Sequence, residues 1–99
     1  MKYEHIGWCR EGTADKVWGI ILLQQSSNGR SNQYVSFWGR RGSRLQTKLF
    51  QATAWQADDM FEKKQSRGYR SVDIAELDSV YPEFQQDLEK TAVWAMLKA

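Results

Sequence analysis

The first half of the chain is dominated by four short runs rich in aromatic and β-branched residues, separated by turn-forming residues. Such runs favour strands over helices, because branched and ring side chains pack well on a pleated surface. Asn28-Gly29 predicts a tight hairpin between the second and third runs, since both residues adopt positive φ readily. We therefore expect an antiparallel sheet of about four strands. The predicted strands are KYEHIGWCR (2–10), KVWGIILL (16–23), QYVSFW (33–38) and LQTKLFQ (45–51).

Alternation along the runs predicts which side chains share a face of the sheet, because successive residues of a strand point to opposite sides. In the first run, Tyr3 and His5 are expected on one face and Ile6 and Trp8 on the other. The third run is expected to place Tyr34, Ser36 and Trp38 on one face, and Val35, Phe37 and Gly39 on the other.

Two helices are predicted after the strands. The first spans residues 53–66, because Thr53 and Gln56 have the spacing of a capping box and Gly68 suits a left-handed cap. The second spans residues 82–97 and carries an apolar stripe that widens toward its end. This stripe is expected to pack on the sheet or to form a homodimer with a second copy of the chain. The fold class is α+β, with one helix across a face of the sheet and a further helix at the C-terminus.

The charges are unevenly distributed, although the net charge is only +2. No Asp or Glu occurs from Lys16 to Ala57, whereas residues 73–89 are rich in both. A basic hairpin without acids suits nucleic-acid phosphates, and interleaved aromatic rings add stacking surfaces. The alternative is that these cations form an ordinary solvent-exposed charged surface that binds no nucleic acid. The cations of the basic stretch are Lys16, Arg30, Arg40, Arg41, Arg44 and Lys48.

Several classes of site find no support in the sequence. The single His5 has no partner in a recognisable catalytic motif, so we expect no enzyme and no catalytic residues. Asp58, Asp59 and Glu62 are ascribed to the helix dipole, so neither a metal nor another cofactor is expected. The lone Cys9 cannot form an internal disulfide, which favours a reducing compartment, the cytoplasm. No apolar run is long enough to span a membrane.

Three segments, KVWGIILL, YVSFWGRRGSRLQTKLF and ATAWQADDMFEKKQSRGY, resemble the WGR domain of poly(ADP-ribose) polymerases and bacterial proteins. The resemblance covers residues 2–70 and leaves 71–99 as an acidic helical extension of the same single domain, residues 1–99. Leu45 departs from the pattern, because the family usually has a glycine there.

The resemblance implies a sheet with a helix across one face and a role in nucleic-acid binding. It implies that Trp38 packs on a terminal sugar or base, that Gly39 allows close backbone approach, and that Arg40 contacts phosphate or a neighbouring chain. Tyr69 belongs to the recurring Gly-Tyr that follows the helix. Charge, rather than the motif, adds Arg30, Arg41, Arg44 and Lys48 as supporting phosphate contacts.

The expected function is that of a non-catalytic accessory or regulatory protein of a bacterium or phage, binding DNA more readily than RNA. The alternative is a protein-interaction module that grips a partner protein with the Trp38 and Arg40 face and the acidic residues 73–89. A third arrangement is autoinhibition, in which the acidic segment competes with nucleic acid for the basic hairpin.

Overall fold

A computed structural model describes residues 1–28 and 30–98, whose strands form one antiparallel five-stranded sheet with helices on both faces. The order across the sheet is β4-β3-β2-β1-β5, so β4 and β5 are the edges. The elements along the chain are β1 Lys2–Cys9, β2 Lys16–Gln24, β3 Asn32–Arg40, β4 Gln46–Ala52, α1 Ala54–Gln65, β5 Arg70–Ser71, α2 Ile74–Val80, α3 Phe84–Glu89 and α4 Trp94–Leu97.

The α+β class, the four long strands and α1 are confirmed within a few residues of their predicted bounds. Thr53 caps α1 as expected: its side chain accepts from the backbone N–H of Gln56, and the Gln56 side chain accepts from that of Thr53. Gly68 takes a positive φ of 97° after the helix. These features were predictable because they depend on local sequence alone.

The hairpin between β2 and β3 is built differently from the prediction. Antiparallel pairing is confirmed, but Asn28 does not have a positive φ, and Gly29 lies outside the described residues. Asn28 instead accepts the backbone N–H of Arg30 at 3.0 Å, and Asn32 accepts that of Ser26 at 2.9 Å. Side-chain oxygens thus order a loop longer than a two-residue turn.

A register shift between Tyr3 and His5 corrects the predicted faces of β1. Tyr3 lies on the same face as Ile6, with its ring centroid 6.2 Å from that of Phe84. His5 lies on the opposite face and stacks on Phe61 at 4.6 Å. A bulge adds one residue to a strand, so strict alternation fails across it.

Each face of the sheet carries its own hydrophobic core. Between the sheet and α1, the buried residues are Trp18, Ile20, Tyr34, Ala52, Ala57 and Phe61. The larger core lies on the other face, where β1–β3 contribute Ile6, Val17, Ile21, Val35 and Phe37. The C-terminal segment covers that face with Val72, Leu77, Tyr81, Phe84, Leu88 and Leu97. The fold therefore has three layers, and the apolar C-terminal residues pack on the sheet.

The prediction of a single helix over residues 82–97 is wrong. Helix α3 ends at Glu89, and the chain turns before α4 begins at Trp94. A continuous helix turns by about 100° per residue, which would place Phe84 and Leu97 on nearly opposite sides. Both are buried in the same core, so the helix has to break between them. The Thr91 hydroxyl stabilises the break by donating to the Leu88 carbonyl at 2.7 Å.

Two elements, β5 and α2, were not predicted. β5 has only two residues and pairs with Gly7 and Trp8 of β1, which no periodicity can indicate. Helix α2 is capped by Asp73, whose carboxylate accepts the backbone N–H of Glu76 at 2.7 Å. Asp73 and Glu76 have the spacing of a capping box, a signal present in the sequence.

Candidate nucleic-acid interface

An open pocket of about 370 Å³ lies beside the C-terminal end of α1. Trp18 of β2 and Trp38 of β3 are direct partners across the sheet, so both side chains lie on the face that α1 covers. Trp18 is almost fully buried, whereas Trp38 is half-buried at the pocket. We call this site the aromatic pocket. Its lining is Trp18, Ser36, Trp38, Met60, Lys63, Lys64, Arg67 and Tyr69.

The basic side of the pocket comes from one side of α1 and the turn after it. Met60, Lys63, Lys64 and Arg67 follow the i, i+3, i+4, i+7 spacing that places helical side chains together. The Lys64 ammonium lies 5.8 Å from the ring centroid of Trp18 and 5.9 Å from that of Tyr69. Cations thus stand directly beside aromatic rings, which combines charge with surfaces on which a base can stack.

Tyr69 contributes a hydrogen-bond donor to the aromatic pocket. Burial raises the pKa of its phenol, with a smaller contribution from the nearby Cys9 side chain. A tyrosine phenol is protonated at neutral pH even at its ordinary pKa of about 10, so Tyr69 is a hydrogen-bond donor there.

Strand residues extend the positive charge across the same face. Lys16 pairs in register with Arg40, and Lys48 pairs with Ser36, so alternation places all three cations on the face of Trp38. All three are exposed, and Arg40 donates to the Thr13 carbonyl at 2.9 Å. Among the described residues, neither these cations nor those of α1 and its turn form an ion pair with a carboxylate. Their charge remains available to an anionic ligand.

The structure places four of the predicted site residues on one face of the sheet and places Arg30 and Arg44 elsewhere. Trp38, Arg40, Lys48 and Tyr69 share the α1 face of the sheet. Arg30 lies in the loop before β3, at the end of that strand opposite Arg40. Arg44 lies in the loop after β3, beside Asp87 and Lys90 of the C-terminal segment.

Gly39 has a conformational role. Its φ of 154° lies in the region that favours glycine, and a Cβ atom there would meet the Leu45 side chain at 3.5 Å. Leu45 is buried in the core behind the sheet. Leu45 is therefore a core residue that packs beside Gly39.

Arg41 is fully engaged within the fold. Its Nε donates to Asp15 at 2.9 Å, its Nη1 donates to the Val80 carbonyl, and its guanidinium lies 5.8 Å from the Trp8 ring centroid. Trp8 also donates to Asp15, at 2.8 Å. Because its donors join the end of β3 to α2, Arg41 forms no part of the proposed interface.

The ion pair between Arg41 and Asp15 predicts that stability depends on pH. Partial burial acts to raise the pKa of Asp15, but the hydrogen bond from Trp8 and the charge of Arg41 outweigh it and lower that pKa. Replacing Asp15 with Asn should therefore lower the free energy of unfolding at neutral pH. The difference from wild type should shrink as the pH falls below about 4, where Asp15 of the unfolded chain becomes protonated. Urea unfolding of both proteins at pH 7 and pH 3 measures this difference in the free energy of unfolding. A difference of equal size at the two pH values would contradict the role of the ion pair.

Residues of the aromatic pocket that sequence reasoning missed are Trp18, Ser36, Met60, Lys63, Lys64 and Arg67. Lys63 and Lys64 lie in the last turn of α1, where the helix dipole alone would explain basic residues. Their helical spacing with Met60 would have shown that they share a side of the helix. Only the fold, however, reveals that this side faces Trp38.

Among the described residues there is no helix with the length and apolar character needed to cross a lipid bilayer. Comparison of the sequence with protein-family models, with curated proteins and with solved structures gave no match.

Proposed function

We propose that the chain is a non-catalytic protein that binds nucleic acid, more readily DNA than RNA, with the face of the sheet that carries α1. The aromatic pocket carries this proposal, because Trp38 and Tyr69 lie within a rim of unpaired cations. Rings and cations side by side suit a ligand with flat bases and repeated negative charges. The free, buried Cys9 is consistent with a reducing compartment, and we place the protein in the cytoplasm.

In the proposed complex, Trp38 packs on a sugar or base, in keeping with the resemblance to the WGR domain. Lys63 and Arg67 contact phosphate on the α1 side, while Arg40 and Lys48 contact it on the strand side. Each phosphate contact releases a counterion, so affinity depends on salt. A terminal base pair exposes one face for stacking on Trp38, and a break in the backbone lowers the cost of unstacking, which favours ends and nicks over internal sites.

Replacing Trp38 with alanine is expected to weaken binding to single-stranded DNA about tenfold, since stacking of one base contributes about 1–3 kcal/mol. Fluorescence anisotropy with labelled single-stranded, nicked and blunt duplex DNA measures this change at several salt concentrations. The slope of log affinity against log salt counts the phosphates, at about 0.7 each on single strands and 0.9 on duplex. Nicked or blunt DNA should bind more tightly than duplex whose ends are closed by hairpins.

Trp55→Ala is the matched control, because Trp55 is also exposed but lies on the solvent side of α1, away from the aromatic pocket. This variant should bind DNA like wild type. If the folded wild-type protein binds none of the oligonucleotides at low salt, the nucleic-acid proposal fails. The Trp38 and Arg40 face would then be assigned to a partner protein.

A further inference from the structure

Trp55 is the most exposed large hydrophobic side chain among the described residues, with 86% of its surface accessible. It lies in the first turn of α1, opposite the buried Ala57 and Phe61. At 3.6 residues per turn, Asp59 and Glu62 fall on the same side of the helix as Trp55. We call this row of Trp55, Asp59 and Glu62 the outer stripe.

The fold provides no reason for a tryptophan at this position. Trp55 belongs to neither hydrophobic core, and its helix propensity is lower than that of alanine. Exposed tryptophan is instead characteristic of interfaces, where a single such ring often dominates the binding energy.

The helix dipole does not explain the acidic residues of the outer stripe. The helix dipole acts mainly within the first turn, and no acidic residue lies in the first turn of α1. Asp58 has a partner, because it accepts from His5 at 2.7 Å. Asp59 and Glu62 have no ion-pair partner among the described residues. Lys63 is the i+4 neighbour of Asp59, but among the described residues neither carboxylate beside the exposed indole ring forms a direct ion pair.

We propose that the outer stripe binds a segment of a partner protein that carries arginine or lysine side chains. An indole face attracts a cation within about 6 Å of its centroid, and nearby carboxylates accept its N–H groups. The same carboxylates repel phosphate, so the outer stripe does not suit nucleic acid. On α1 the acidic outer stripe borders the basic side, because Asp59 and Lys63 are i, i+4 neighbours that line the same pocket.

A labelled hexaarginine peptide tests this proposal by fluorescence anisotropy at low salt, with a hexaglutamate peptide as the negative control. Trp55→Ala should weaken hexaarginine binding about fivefold, the size of one exposed cation–π contact. Trp55→Phe should recover part of the loss, because a phenyl ring keeps a weaker negative face. The double variant Asp59→Asn, Glu62→Gln should weaken binding at least as much, since it removes both carboxylates but keeps the ring.

Gln65→Ala is the control for an exposed change on the same helix, and circular dichroism should show every variant folded. Equal hexaarginine affinity of the wild type and Trp55→Ala would overturn the proposal. So would a wild-type dimer in sedimentation that Trp55→Ala dissociates, because the occupant would then be a second copy. A loss of DNA affinity in Trp55→Ala would overturn it too. The DNA test with Trp38→Ala is independent, so each proposal can fail without the other.

Discussion

Replacing Phe84 with alanine is expected to lower the free energy of unfolding by about 4 kcal/mol, the usual cost of removing a fully buried phenyl group. Phe84 has no accessible surface and lies against three other rings. Its centroid is 5.1 Å from that of Phe37, 5.7 Å from that of Tyr81 and 6.2 Å from that of Tyr3. The substitution thus opens a cavity between the sheet and α3.

Urea unfolding followed by tryptophan fluorescence measures this loss. Met96→Ala is the control, because Met96 belongs to the same C-terminal segment but is 43% exposed, so it should cost much less. Similar losses for the two variants would mean that the segment is not held on the sheet as the structure shows. Deleting residues 73–99 should unfold the protein, since Leu77, Tyr81, Phe84, Leu88 and Leu97 complete the larger core.

The position of the acidic segment also bears on autoinhibition. The helices that carry Asp73, Asp78 and Glu89 pack on the face of the sheet opposite α1, so they do not cover the aromatic pocket. Two of the predicted phosphate contacts lie beside this segment: Arg41 donates to the Val80 carbonyl, and Arg44 lies near Asp87. The acidic residues therefore belong to the layer of helices behind the sheet. This position gives no support to the idea that they compete with nucleic acid for the aromatic pocket.

The strands and α1 could be predicted because their signals are local. Aromatic and β-branched runs, the Thr53–Gln56 capping box and Gly68 act within a few residues. The bulge at Tyr3–His5, the short β5 and the break between α3 and α4 depend on distant contacts instead. Phe84 and Leu97 are buried in the same core, and the shared packing that requires the break does not show in the local sequence pattern.

The candidate site was predicted less well, because charge along a sequence does not specify a face. Arg30, Arg41 and Arg44 belong to the same acid-free stretch as Arg40, yet the fold separates them and engages Arg41 with Asp15. Lys63 and Arg67 lie far along the chain from Trp38 but beside it in space. The pairing of β2 with β3 and the packing of α1 on the sheet bring these residues together.

The double variant Lys63→Glu, Arg67→Glu is expected to weaken DNA binding about 100-fold, the largest functional effect that the proposed interface predicts. Each residue is proposed to make one charge-assisted phosphate contact, which contributes about 1.5 kcal/mol. The salt slope should also fall by about 1.8 on duplex, because two counterions are no longer released. Both side chains are exposed, so the variant should remain folded.

Lys90→Glu, Lys98→Glu is the matched control, because it changes the net charge equally on the segment that packs behind the sheet. Long-range attraction is screened within about 10 Å at 0.1 M salt, so the control should weaken binding only slightly at that salt concentration. If both double variants weaken binding equally, the affinity for DNA depends on the net charge of the protein, and the aromatic pocket is not a specific binding site. The proposal expects a large loss of affinity in Lys63→Glu, Arg67→Glu and only a slight one in the control. It also expects that Trp38→Ala reduces affinity without changing the salt slope. Together these results would distinguish phosphate contacts from base stacking and assign both to one face of the sheet.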